Sequence, residues 1–173
     1  MKKGYLHVIT GDGKGKTTAS VGLAVRAVGF GMKVFYAQLF KEEASETKQL
    51  KKLGIKYMGY SAKHPYFKKY GDEELDASKG GCLAFVKDAF AEAERGQYDM
   101  LVIDELGPAL SAGWISEEEA SELIKNKPEK LELVLTGRGF PQDILKLGDY
   151  VSEIRNIKHP YEKGVGARKG IEE

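Results

Sequence analysis

An α/β fold, with a mainly parallel sheet and helices on both faces, is what this sequence predicts, and three observations predict it. Short apolar runs suited to strands alternate with stretches of helical period along all 173 residues. A glycine-rich loop joins the first such run to the first helical stretch. Polar or charged residues directly follow four of the strand runs, and a parallel sheet would gather them along the edge formed by the strands' carboxyl ends.

The elements follow in order. Residues 5–9 form the first strand. Residues 16–28 read as a helix, with Val21, Leu23, Ala24 and Ala27 on its inner side and Gly29 near its end. A strand over 33–39, a short helix over 47–53 stopped by Gly54, and a short strand over 55–58 come next. Residues 75–93 carry a long helical period, with Leu83, Val86 and Phe90 at spacings of three and four. An apolar strand at 99–103 is followed by a short helix before Gly113. The helix at 117–125 has Ser116 as N-cap and Glu119 three residues on, a capping box. A strand at 131–136, a helix opened by Pro141 and running to 147, and a strand at 150–155 complete the sheet. Residues 61–76 and 156–173 carry Pro, Gly and polar or aromatic side chains; they are expected to be loops and candidate lids over the ligand edge.

Bulk properties narrow the class. Hydrophobic content of 42% and charged content of 31% describe an ordinary globular chain, taken as a single domain over 1–173. A chain of this size buries roughly 70% of its unfolded surface. A net charge of +1 points to neither nucleic acid nor membrane as a partner. No apolar run approaches the ~20 residues of a membrane span. Residues 1–4 pass straight into a strand and leave no room for a signal peptide. The one cysteine, Cys82, lies in a helical pattern and is expected in the core, so no internal disulfide forms and the cytoplasm is the expected compartment.

The loop carries the chemistry. Gly11, Asp12, Gly13, Lys14, Gly15, Lys16, Thr17 and Thr18 lead from a strand into a helix. Glycines let backbone N–H groups close on an anion, the helix aims its positive end at it, Lys16 adds a point charge, and the Thr17 hydroxyl suits magnesium. This is a phosphate-binding P-loop with ATP as the default ligand. Five residues before Gly15 the usual pattern has Gly and this chain has Thr10, so the loop is expected to be tighter or bent differently. A dinucleotide turn fails, because Lys16 stands where its third Gly belongs. A plain hairpin would not need Lys16, Thr17 and Thr18 running on into a helix.

The apolar strand ending in Asp104 and Glu105 matches the second half of such a site. Asp104 would hold magnesium, directly or through water, and Glu105 would lie near the reacting end of the nucleotide. Gln38 and Lys41, at the end of the second strand, join the nucleotide-binding set, and Arg138 after the 131–136 strand can fork onto phosphate oxygens. Together these predict a P-loop, RecA-like nucleotide-binding fold. His7 reads as a satisfied strand residue, and Trp114 as a packing anchor or lid residue. His7, His64 and His159 have no metal-site spacing.

In these residues the chain resembles the P-loop type of ATP:corrinoid adenosyltransferase, over nearly its whole length. The resemblance rests on residues 10–18, where the family usually has Asn for Asp12. It rests also on Gln38-Leu39-Phe40-Lys41, Asp104-Glu105-Leu106, Thr136-Gly137-Arg138-Gly139, and a tail with Lys158-His159-Pro160-Tyr161, Gly164 and Lys169-Gly170-Ile171-Glu172. It implies that cobalt(I) of a reduced corrinoid attacks C5′ of ATP and expels triphosphate, with ATP lying in the reversed sense along the loop. Lys16, Glu105 and Arg138 are then the catalytic set, and Thr17, Asp104 and Glu105 the magnesium set. It also suggests a homodimer and a flavoprotein reductant. The family's Gly-Phe-Thr-Trp-like segment is replaced here by Met58-Gly59-Tyr60-Ser61, and Tyr60, Tyr66 and Phe67 are the rings expected to meet the corrinoid in its place. Two other functions stay open at this point: a P-loop ATPase or small-molecule kinase in which Glu105 orients water or a hydroxyl, and a non-catalytic, nucleotide-gated corrinoid-binding protein.

Overall fold

Several strand runs are apolar at every position, so both faces of the sheet must be covered. The computed structural model, which describes residues 3–41, 44–66 and 70–171, shows what covers them. Strands β1 (Leu6–Thr10), β2 (Val34–Leu39), β3 (Lys56–Tyr60), β4 (Met100–Asp104), β5 (Glu132–Thr136) and β6 (Tyr150–Glu153) form one parallel sheet in the order β3-β2-β4-β5-β1-β6. Helices α1 (Lys16–Gly29), α2 (Thr47–Lys52), α3 (Asp72–Arg95), α4 (Leu106–Ser111), α5 (Glu117–Lys125) and α6 (Gln142–Leu147) connect them.

Strand parity divides the core in two. On one face Val34, Tyr36, Met100, Val102 and Val134 pack with Ala24 and Ala27 of α1 and Leu50 of α2. On the other, Phe35, Ala37, Leu101, Ile103, Leu133 and Leu135 pack with residues of α3 to α6, among them Val86, Leu106, Ile124 and Ile144. Alternation of period two therefore sends Gln38, Asp104 and Thr136 to the α1 face, where the phosphate-binding loop enters its helix. Gln38 pairs with Asp104 in register, and Ile9 with Thr136. Because β5 stands between β1 and β4, Thr136 lies between the loop and the acidic strand.

The sequence reading is corrected at several boundaries. α3 begins at Asp72, so residues 72–76 are helix and not loop; Asp72, Glu73 and Glu74 lie in its first turn, where the helix dipole favours acids. β3 is shifted to Lys56–Tyr60 because it stays paired with β2 as far as Leu39. β6 ends at Glu153, two residues early, although Ile154 N–H still donates to Thr10 O at 2.8 Å. Within the tail, Pro160–Lys163 forms a 3-10 turn. The capping box at Ser116 and Glu119 forms as read. Cys82 is fully buried, which pushes its thiol up to about 12 and leaves it inert. His7 meets Glu132 at 2.5 Å and stacks on Tyr150, and Trp114 is buried between Phe40 and Tyr70.

Candidate active site

The floor of the site is the carboxyl edge of β1, β4 and β5 together with the start of α1. Gly15 caps α1 with φ 119°, a conformation glycine adopts without strain. Gly11 and Gly13 have a second reason to lack a side chain. A Cβ on Gly11 would fall 2.4 Å from Ile154 O and one on Gly13 2.8 Å from the Arg155 carbonyl, because the loop leans on the end of β6. The Gly13 N–H donates to Ile154 O at 2.7 Å, which fixes that bend. Lys16 folds over the loop and donates from Nζ to Gly11 O and Gly13 O, each at 2.8 Å. Burial and the neighbouring Arg138 lower its pKa, against the pull of Glu105, Asp12 and Asp104.

Asp104 lies beneath, fully buried and fully bonded. Its Oδ1 accepts from Thr136 Oγ1 at 2.5 Å; its Oδ2 accepts from Gln38 Nε2 at 2.8 Å and from Thr17 Oγ1 at 3.1 Å. Burial, aided by the Glu105 charge, lifts its pKa to about 6 despite those three donors. Glu105 takes a left-handed backbone (φ 64°), uncommon for a residue with a side chain and of the kind that functional sites hold in place. Its N–H donates to Thr136 Oγ1 at 3.1 Å, so one threonine ties the two acids together. Burial pushes the Glu105 carboxyl up, but His64, Lys16 and Lys41 outweigh it and the group sits below its ordinary value. His64 Nε2 is 3.8 Å from Glu105 Oε2, and the His64 ring packs against Phe40 and Tyr66.

Above the floor opens a cavity of about 820 Å³. Small-molecule sites run to about 300–1,000 Å³. Gly13, Lys14, Gly15, Lys16, Thr17, Thr18, Lys41, Glu105 and Arg138 line it from below. The tail lines it from above, with His159, Pro160 and Tyr161 of the 3-10 turn and Val165 to Arg168 beyond. Arg138 is brought in by a tight backbone crossing: a Cβ on Gly137 (φ 140°) would lie 2.6 Å from Gly107 N. Its guanidinium donates to Asp12 O at 3.1 Å.

Residues separated by more than a hundred positions thus meet at one cavity. Gln38, expected to touch the nucleotide, is instead fully buried behind Asp104. Gly11 and Asp12 form the back of the loop. Tyr60 turns away from the cavity, with its hydroxyl on Ser78 O at 2.9 Å and its ring on Phe85. Tyr66 reaches Ser111 through its hydroxyl. Phe67 lies outside the described residues. Sequence reading missed Thr136 as the hinge between the acids, although strand parity could have found it. It also missed His64 beside Glu105, which no spacing announces. Among the described residues no group of three or more His, Cys, Asp or Glu gathers, and no helix is long and apolar enough to cross a membrane.

Comparison with known proteins adds two kinds of likeness. Residues 2–172 match the family model of the ATP:corrinoid adenosyltransferases BtuR/CobO/CobP. The corrinoid adenosyltransferase of Escherichia coli K12 is 32% identical over 173 residues, covering 99% of this chain and 86% of that protein. Among solved structures, the flagellar accessory protein FlaH of Methanocaldococcus jannaschii superposes with a TM-score of 0.59 at 16% identity, covering 90% of this chain and 72% of FlaH. The genome-packaging NTPase B204 of Sulfolobus turreted icosahedral virus 2, solved with ATP-gammaS, superposes at 0.51 with 15% identity over 94% of this chain and 79% of that one. These last two likenesses are of fold.

Proposed function

This chain belongs to the ATP:corrinoid adenosyltransferase family, and from that premise we propose how its own residues share the work of moving the 5′-deoxyadenosyl group of ATP to the cobalt of a reduced corrinoid. One observation carries the assignment: Lys16, Thr17, Glu105 and Arg138 face a single cavity that the tail closes. The cobalt(I) electron pair attacks C5′, the Co–C bond forms, the C5′–O5′ bond breaks, and its electrons leave with triphosphate. Charge therefore grows on the departing chain, unlike a kinase, where the γ-phosphoryl is transferred.

Lys16 then exchanges its two loop carbonyls for phosphate oxygens, and Arg138 grips the same leaving group from the β5 side. Gly13 to Thr18 supply backbone and the positive end of α1. The donor set beneath suits magnesium: a threonine hydroxyl, a buried carboxylate 3.1 Å away, and Glu105 for its waters. Bound there, magnesium would neutralise charge on the leaving triphosphate. Cobalt(I) is already a strong nucleophile, so the protein needs no base to activate it; alignment of C5′ with cobalt can contribute roughly 7–11 kcal/mol. We place the corrinoid over the cavity beside the His64–Tyr66 loop, with the Tyr66 ring near its lower face. We take the working unit to be a cytoplasmic homodimer that receives cobalt(I) through a flavoprotein reductant.

Incubation with Mg-ATP and chemically reduced cobalamin tests the reading. The expected result is triphosphate and a product whose spectrum changes on illumination. Orthophosphate, or ADP with a phosphorylated acceptor, would overturn it.

A further inference from the structure

Two hydrogen-bond chains end at Thr17 and Asp104, two of the three residues assigned to magnesium, and both begin at a tyrosine. In the first, Tyr57 Oη donates to Gln38 Oε1 at 2.8 Å, and Gln38 Nε2 donates to Asp104 Oδ2 at 2.8 Å. In the second, Ser20 Oγ donates to Thr17 O at 2.8 Å. Serine has one hydroxyl proton, so the 2.8 Å contact between Ser20 Oγ and Tyr36 Oη must have Tyr36 as donor. Tyr36 and Tyr57 are register partners on β2 and β3 and stack at 6.4 Å with 15° between their planes.

We propose that Tyr57 and Tyr36 are positioning residues for the cation site, acting through Gln38 on Asp104 and through Ser20 on Thr17. The proposal rests on the magnesium assignment made above. A primary amide fits its socket in two orientations. With the Gln38 carbonyl held by Tyr57, only its NH₂ faces Asp104; turned over, it would set carbonyl oxygen against carboxylate. The phenol on the edge strand thereby keeps donors aimed at a carboxylate whose use is to bind a cation, an outer shell of the kind that tunes metal sites. Tyr36 does the same for the backbone of Thr17, holding the turn that presents the Thr17 hydroxyl.

Mn²⁺ titration by electron paramagnetic resonance, with ATP present and corrinoid absent, reads the cation site without turnover. Tyr57→Phe is expected to weaken Mn²⁺ binding about three- to tenfold, the range for loss of one buried hydrogen bond. ATP affinity in EDTA should stay within about twofold, because the loop itself is untouched. In a Gln38→Met background, which preserves shape, Tyr57→Phe should add nothing, since its route to Asp104 is already cut. Tyr36→Phe should weaken Mn²⁺ binding in either background. A purely structural role for Tyr57 would lower the melting temperature and leave Mn²⁺ affinity unchanged, and that result overturns the proposal. So does an equal further loss in the Gln38→Met background. If wild-type protein bound ATP without any cation at this site, the magnesium assignment would fall first and this inference with it.

Discussion

Lys16 and Tyr161 line the same cavity, one from the floor and one from the roof, and the chain holds them on different terms. Lys16 is 8% exposed and bonded to two loop carbonyls; Asp104 below it accepts from three side chains on α1, β2 and β5. Tyr161 is 75% exposed, and the 3-10 turn that carries it is closed by bonds within residues 159–165. The floor is assembled by the fold before any ligand arrives, whereas the roof draws little of its order from the core. Preorganised donors act on the transition state, and a lid acts on capture and release. Floor changes should therefore strike turnover, and roof changes should strike affinity more than turnover.

Lys16→Ala gives the largest expected effect: adenosylation of chemically reduced cobalamin should fall at least about 10²–10³-fold, as when a preorganised donor is removed. A fall confined to KM would mean the floor merely binds. Asp104→Asn sharpens the contrast through stability. A buried acid whose pKa is raised from 3.8 to about 6 binds its proton more readily folded than unfolded. The native state is therefore penalised above about pH 6, by about 3 kcal/mol, and the penalty fades as pH falls from 6 toward the unfolded value of 3.8, below which both states are protonated. The Asn variant should lose cation-dependent activity yet melt no lower than wild type at pH 7.5, with any advantage gone near pH 4. Conversely, Mn²⁺ binding to wild type should weaken as pH falls through about 6. A chain ending before residue 158 tests the roof: its KM for ATP should rise about tenfold, with kcat changed less and the melting temperature kept. A large loss of melting temperature would show that the tail belongs to the core after all. Smallest is Tyr66→Ala, which should slow adenosylation starting from cobalt(II) severalfold more than that starting from cobalt(I). Equal slowing would remove this ring from the reduction step.

Legibility followed the same divide. Residues 11–18 carry their chemistry in consecutive positions, so loop, helix start and ligand class were readable at once, as was the acidic pair at the end of β4. The capping box at Ser116 was local in the same sense. Gln38 reads from the sequence as a strand-end residue facing the nucleotide, because parity tells which face it takes and not that Tyr57, 19 positions away, holds its amide. His64 sits in a loop with no periodicity, and its approach to Glu105 depends on how that loop is tied to Phe40 and Ser111.

The sequence by itself determined the alternation of strand and helix, the anion-binding loop, the acids of β4 and the family, since each rests on side-chain period or on neighbours within a few residues. Tertiary structure alone decided the insertion of β5 between β1 and β4, the burial that lifts Asp104 and the pairing of His64 with Glu105. Those depend on which distant segments share a face and how far water is excluded between them, and no window of neighbouring residues contains that information.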